Sequence, residues 1–391
     1  MRTLMLSGLA GLAMLAIPAA ASAGQSHRPV CPGPANAGAA LCHAHVVTDA
    51  RGTPQITPAP AGYGPAQFRT AYNLPGGAPS AQMIAIVDAY DSPTIASDLN
   101  AYSSAYGLPQ CNTANPCFKK VNQNGVAGSY PRKDAGWALE IALDVEIAHA
   151  ACPNCRILLV EASSNSFGNL AAAVNTAARL GATQISNSYG GPEWSGEGGV
   201  TAFDHPGIAI TASSGDSGYG AEFPAADPHV VAVGGTTLTL GAGDAWAGET
   251  VWSGAGSGCS SYLTAQAWQT SLSAWSLTGC GTKRAIADVA ADADPATGAA
   301  VYDTTTYQGR SGWFKVGGTS LAAPLIAGVY ALAADGAGVS YPASLPYAHR
   351  DALHDVTSGS NGTCSSVRMC KGLVGYDGPS GLGTPNGVGG F

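Results

Sequence analysis

The stretch DAGWALEIALDVEIAHAACPNCRILLV, residues 134–160, holds the alternation on which the fold rests. Residues 134–151 place apolar side chains at a period of 3.6, which predicts a helix. The tail, Arg156 to Val160, is a short unbroken apolar run, as expected of a strand buried on both faces. The same strand signal recurs at 83–87, 184–188, 208–211 and 229–233, and a second helix is expected over 168–181, ending at Gly181. Strands alternating with helices predict an α/β fold, a mostly parallel central sheet with helices on both faces. No repeat of fixed period and no linker interrupts residues 61–391, which read as a single domain.

Upstream of that domain the pattern changes. Residues 1–23 join an early Arg2 to an apolar run and a small-residue end, Ala21-Ser22-Ala23. This is the make-up of a secretory signal cleaved after Ala23. A membrane anchor fits less well, because Gly8, Gly11 and Pro18 break the run. Residues 24–60 are rich in Pro, Ala and Gly without periodicity, and read as an extended amino-terminal arm. Of 391 residues only 11% are charged, with a formal net charge of −8, so the basic footprint of a nucleic-acid binder is missing. Few ionisable groups also leave little self-repulsion when carboxylates are protonated, which suits a protein exposed to acid.

The ten cysteines fall into close sequential pairs, Cys31/Cys42, Cys111/Cys117, Cys152/Cys155, Cys259/Cys280 and Cys364/Cys370. Behind an export signal this spacing reads as local disulfides. Cys152 and Cys155 lie between a helix and the next strand and lack a second CxxC, which favours a disulfide over a redox site or half a zinc knuckle.

Three segments carry chemistry. In Val316-Gly317-Gly318-Thr319-Ser320 two glycines precede a serine that opens an alanine-rich apolar helix. Free N–H groups and the helix dipole favour negative charge there. Ser320 is therefore either a nucleophile or part of a helix cap. Pro324 is expected in the first turn of that helix, where its missing N–H costs nothing. On helix 134–151, Glu140 and Asp144 stand four residues apart on the stripe of Trp137, Ile141 and Ala148, with Glu146 expected on the opposite, solvated side. Two carboxylates on an apolar face repel each other unless one holds a proton for the other, which separates their pKa values and prepares them for acid–base work. Finally, Asp216 stands in a glycine-flanked loop, Ser214-Gly215-Asp216-Ser217-Gly218, at a strand end.

Taken together in this order, the Glu-x-x-x-Asp helix, the Ser-Gly-Asp-Ser-Gly loop and the Gly-Gly-Thr-Ser motif resemble the sedolisin family, serine-carboxyl peptidases of subtilisin-like fold. Residues 287–295 and 223–227 resemble that family's connecting segments. The resemblance implies that Ser320 attacks the scissile carbonyl and Glu140 acts as its general base and then acid. Asp144 would orient Glu140, and a protonated Asp216 would donate to the oxyanion. It also implies one structural Ca2+, held by Asp355 and Asp377 with the carbonyls of Val356, Leu373 and Gly375. The family usually has glycine where Leu373 stands. Its precursors usually carry a large inhibitory prosegment, whereas fewer than forty residues separate Ala23 from the expected domain.

The expected protein is thus secreted and monomeric, acts on protein or peptide substrates in acid, and binds neither nucleic acid nor membrane. Two alternatives stay open. One is a secreted non-catalytic binding protein on the same fold. The other is a subtilisin-type triad of Asp88, a histidine and Ser320. Asp88 is either a third member of the carboxylate network or a turn residue, and His149 is expected to be structural.

Overall fold

The computed structural model describes residues 25–33, 35–334 and 338–391; the expected leader, 1–23, lies outside them. Three short strands come first, β1 (His27–Pro29), β2 (Leu41–Cys42) and β3 (His45–Val47), then helix α1 (Pro65–Ala71). The alternation follows with β4 (Met83–Ala89), α2 (Ile95–Tyr106), β5 (Phe118–Asn122), α3 (Ala135–Ala151), β6 (Arg156–Ala162) and α4 (Phe167–Arg179). Next are β7 (Gln184–Asn187), β8 (Tyr189–Pro192), β9 (Ala209–Ser213), β10 (Glu222–Phe223), β11 (Val230–Leu240) and β12 (Trp246–Val251). An antiparallel pair, β13 (Gly258–Thr264) and β14 (Lys283–Ile286), flanks the short α5 (Ala267–Thr270). Then come β15 (Val289–Asp292), β16 (Ala299–Tyr307), β17 (Arg310–Gly317) and α6 (Thr319–Ala333).

The central sheet runs β12-β11-β9-β7-β4-β6-β5, with β15 also pairing β11. Every pairing in it is parallel except β11 with β12. Beyond their first residues β4 and β6 are buried throughout, so both faces are covered; α3 and α4 each pack on these two strands. α6 lies beside α3 and reaches across β7, β9 and β15. The strands and helices expected from periodicity are therefore present, with ends shifted by one or two residues except in β11, which runs on to Leu240 where 233 was expected.

Two expectations about helices need correction. Fifteen of the 17 residues of α3 are buried, so it has no solvated side. β16 packs where water was expected, and Glu146 is buried there, accepting a hydrogen bond from the Tyr302 N–H at 2.9 Å. Pro324 lies in the second turn of α6, not the first. Its missing N–H frees the Ser320 carbonyl, and the Ser188 hydroxyl approaches that carbonyl at 3.4 Å instead. All five local disulfides form as expected.

The arm is extended, as its composition suggests, but it is woven into the molecule. β2 pairs antiparallel with β8, and β3 pairs antiparallel with both β1 and β17. Cys42, Ala44, Val46 and Val47 are buried.

Candidate active site

β17 delivers the chain to Gly318, whose φ of 103° and ψ of 163° suit glycine alone. A methyl group there would lie 2.0 Å from the His43 carbonyl oxygen and 2.5 Å from Asp216 Oδ2. α6 starts at the next residue, so Ser320 sits at its N-terminus and is fully buried. The Ser320 hydroxyl donates to the Ser188 carbonyl at 3.3 Å.

Across from Ser320, α3 presents Glu140 and Asp144, and the end of β4 presents Asp88; all three are fully buried. The Ser188 hydroxyl donates to Asp144 Oδ1 at 2.8 Å. The other five oxygens of the three carboxyls have no hydrogen-bond partner among the described residues. With no donor bonded to them, burial favours their protonated, uncharged form. Burial raises the pKa of Glu140 and of Asp144 well above the carboxylate range, and the charge of Asp88 adds to both. The Ser320 hydroxyl and the Ala44 N–H stand near enough to Glu140 to favour its ionised form, although neither bond has formed. Burial alone pushes Asp88 up to about 8. Asp88 therefore joins the carboxyl cluster and is not a turn residue.

Asp216 follows β9 and turns its two oxygens to different tasks. Oδ1 accepts from the Thr319 N–H at 2.8 Å and its hydroxyl at 2.7 Å, closing the N-terminus of α6. Oδ2 is buried and unpartnered, 3.7 Å from His45 Nε2. Burial pushes the Asp216 pKa up to about 7, against the opposing pull of His43 and the Thr319 bonds. A protonated Oδ2 is a hydrogen-bond donor aimed at the space above Gly318.

Ser320, Glu140, Asp144 and Asp216 are thus drawn together from three separate segments. His149 is buried elsewhere, with Nε2 2.9 Å from the Pro109 carbonyl. No histidine reaches Asp88, both of whose oxygens are unpartnered among the described residues, so a subtilisin-type triad lacks its middle member. Sequence reading missed His43, Ser188, Ser213 and Glu222. The His43 ring lies between Ser213 Oγ at 2.7 Å and Glu222 Oε2 at 3.1 Å, in an open cleft of about 390 Å³. Burial pulls the His43 pKa down, but the charges of Glu222 and Asp216 with the hydrogen bonds to Glu222 and Ser213 together outweigh it, and the net shift is upward.

At the far end of the chain, Asp355 and Asp377 accept N–H groups of Gly375 and Leu373, each at 2.8 Å. The carbonyls of Val356, Leu373 and Gly375 accept no hydrogen bond among the described residues. Burial, with Asp355's charge adding, pushes Asp377 up to about 7. The ligands expected for a hard cation are thus two carboxylates that repel each other and three carbonyls left without a donor among the described residues.

The Subtilase family model matches residues 121–353. Kumamolisin from Bacillus sp. (strain MN-32) is 30% identical over 369 residues, spanning 84% of this chain and 63% of that protein. Sedolisin from Pseudomonas sp. (strain 101) is 27% identical over 370 residues, spanning 84% of this chain and 59% of that one. The chain thus spans about three fifths of the length of these curated relatives. Among solved structures, Pseudomonas sedolisin complexed with pseudo-iodotyrostatin superposes with a TM-score of 0.68 at 26% identity, covering 84% of this chain and 96% of that one.

Proposed function

The chain belongs to the Subtilase family, on its sedolisin-like branch, and from that premise we propose that it is a secreted serine-carboxyl endopeptidase acting on proteins or peptides in acid. One observation carries the reading: Ser320 opens α6 against a buried cluster of carboxyls, with no histidine beside the cluster among the described residues. Ser320 Oγ adds to the scissile carbonyl carbon and its proton passes to Glu140, the member of the coupled cluster that gives up its proton while Asp144 and Asp88 keep theirs. The developing oxyanion takes hydrogen bonds from the Ser320 N–H and from protonated Asp216 Oδ2. Collapse breaks the C–N bond, and Glu140 returns the proton to the leaving amine. Water then hydrolyses the acyl-enzyme by the same exchange in reverse.

The acid optimum follows from the protons this scheme needs. Asp216 donates only while protonated, so the donor is lost as pH rises through about 7. Activity is expected to peak at about pH 3–5 and to fall steeply toward neutrality. Hydrolysis of a denatured protein between about pH 2 and 8 tests it, with Ser320→Ala and Glu140→Gln as inactive controls. An optimum above neutrality, or full activity in Glu140→Gln, would remove the serine-carboxyl mechanism.

Export is supported by the signal-like residues 1–23 and by the five disulfides, which persist in oxidising compartments. The loops carrying Asp355, Val356, Leu373, Gly375 and Asp377 suit one Ca2+, which would lock the carboxyl-terminal turns by neutralising the two carboxylates. The chain works as a monomer on this reading.

A further inference from the structure

Ser188 fills the one-residue break between β7 and β8, fully buried, and it touches two members of the site at once. Its carbonyl accepts the Ser320 hydroxyl at 3.3 Å, while its own hydroxyl donates to Asp144 Oδ1 at 2.8 Å. One residue thus holds both the nucleophile and the orienting carboxyl. A hydroxyl has a single proton to give. The Ser320 carbonyl, which Pro324 leaves without a helical donor, competes for it only from 3.4 Å, so the carboxyl takes it.

The surroundings give that bond its weight. Of the six carboxyl oxygens of Asp88, Glu140 and Asp144, Asp144 Oδ1 alone has a donor among the described residues. In a neutral carboxylic acid the carbonyl oxygen is the better acceptor, so the oxygen facing Ser188 is the one without the proton. The proton that Asp144 keeps is thereby placed on Oδ2. The groups around it are Glu140 on the same helix and Asp88 at the end of β4, both acting on Asp144 by charge. Asp216, on the loop after β9, acts on Glu140, and Tyr189 of β8 is kept a neutral phenol by burial and the charge of Asp88. Polarising the carbonyl of an acid makes its O–H a stronger donor. The Ser188 bond therefore helps Asp144 support an ionised Glu140, and the base forms at lower pH than it otherwise would.

We propose that Ser188 is a positioning residue of the carboxyl cluster, whose hydroxyl fixes the proton of Asp144 on Oδ2 and so sets the acid limit of the working range. The inference rests on Ser320 and Glu140 acting as nucleophile and base.

The initial rate of the full chain on a dilute, fluorescently labelled denatured protein is proportional to kcat/KM, and its pH profile reports the ionisations of the free enzyme. It is followed from about pH 2 to 8 in wild type, Ser188→Ala, Ser188→Thr and Ser188→Cys. The midpoint of the acid limb is read, not its height, so a general loss of rate does not enter. Ser188→Ala is expected to raise that midpoint by about one pH unit, the size of one hydrogen bond to an ionising group. Ser188→Thr keeps the hydroxyl and is expected to keep the wild-type midpoint; Ser188→Cys, a weak donor, should fall between. The alkaline limb, which belongs to Asp216, should stay in place throughout. An unmoved acid limb in Ser188→Ala overturns the inference and leaves the peptidase reading standing, as does a folded Thr variant shifted as far as Ala. If Ser188→Ala does not fold, the Cys midpoint decides by the same comparison with wild type. If wild type hydrolyses nothing, or Ser320→Ala stays active, the peptidase reading falls and this inference falls with it.

Discussion

Asp216 caps a helix with one oxygen and leaves the other free, and this division sets how it tolerates replacement. In Asp216→Asn the amide oxygen still accepts from Thr319 and the NH2 group still donates. In Asp216→Ala both are lost, and removing one oxyanion donor typically costs about 10²–10³ in kcat. Steady-state kinetics should therefore rank wild type above Asn and Asn well above Ala, and the Asn variant should keep its residual activity past neutrality because an amide does not titrate. Equal losses in the two variants would deny Asp216 a donor role. The four acidic and serine positions were legible from motif context, because each stands where helix period or strand end gives it a direction. His43 and Glu222 were not, since an arm without periodicity carries no sign of where it docks.

Among the elements, α3 shows what a period can and cannot tell. Its existence and bounds followed from the 3.6 repeat, but its apolar stripe was a fragment of an apolar cylinder. β16, distant in sequence, supplies the cover that makes Glu146 a core residue, and no local pattern announces such a cover. The carboxyl-terminal loops pose the converse case, in which irregular backbone is given a purpose by what it binds. Calcium held by Asp355, Asp377 and three carbonyls would stabilise the native chain by its own binding free energy. Excess chelator is expected to lower the melting temperature by several degrees and calcium to restore it, as read by calorimetry. An unchanged transition would remove the ion from those loops.

Taken as a whole, the molecule stores acid in its interior. Beyond the buried carboxyl cluster, burial raises the pKa of Glu146 and Asp292 well above the usual range and that of Asp303 to about 7. Each such group binds its proton more tightly folded than unfolded, so its contribution is complete below the unfolded value near 4 and disappears as pH rises toward its folded value. Thermal stability is thus expected to be greatest in mild acid and to fall between about pH 4 and 8, the reverse of ordinary acid denaturation. A melting temperature that climbs over that window would contradict it. Composition hinted at acid tolerance through scarce charge; which carboxyls are buried depended on packing between distant segments. One such long-range contact has a bearing on timing. Residues 45 and 46 pair with 317 and 316, far along the chain, so that sheet cannot close until β17 has been synthesised. A nascent chain still leaving the ribosome holds Glu140 without the helix that bears Ser320. On the proposed mechanism hydrolytic competence is then a late event of biogenesis, and the polypeptide stays inert until the segment bearing Ser320 has emerged.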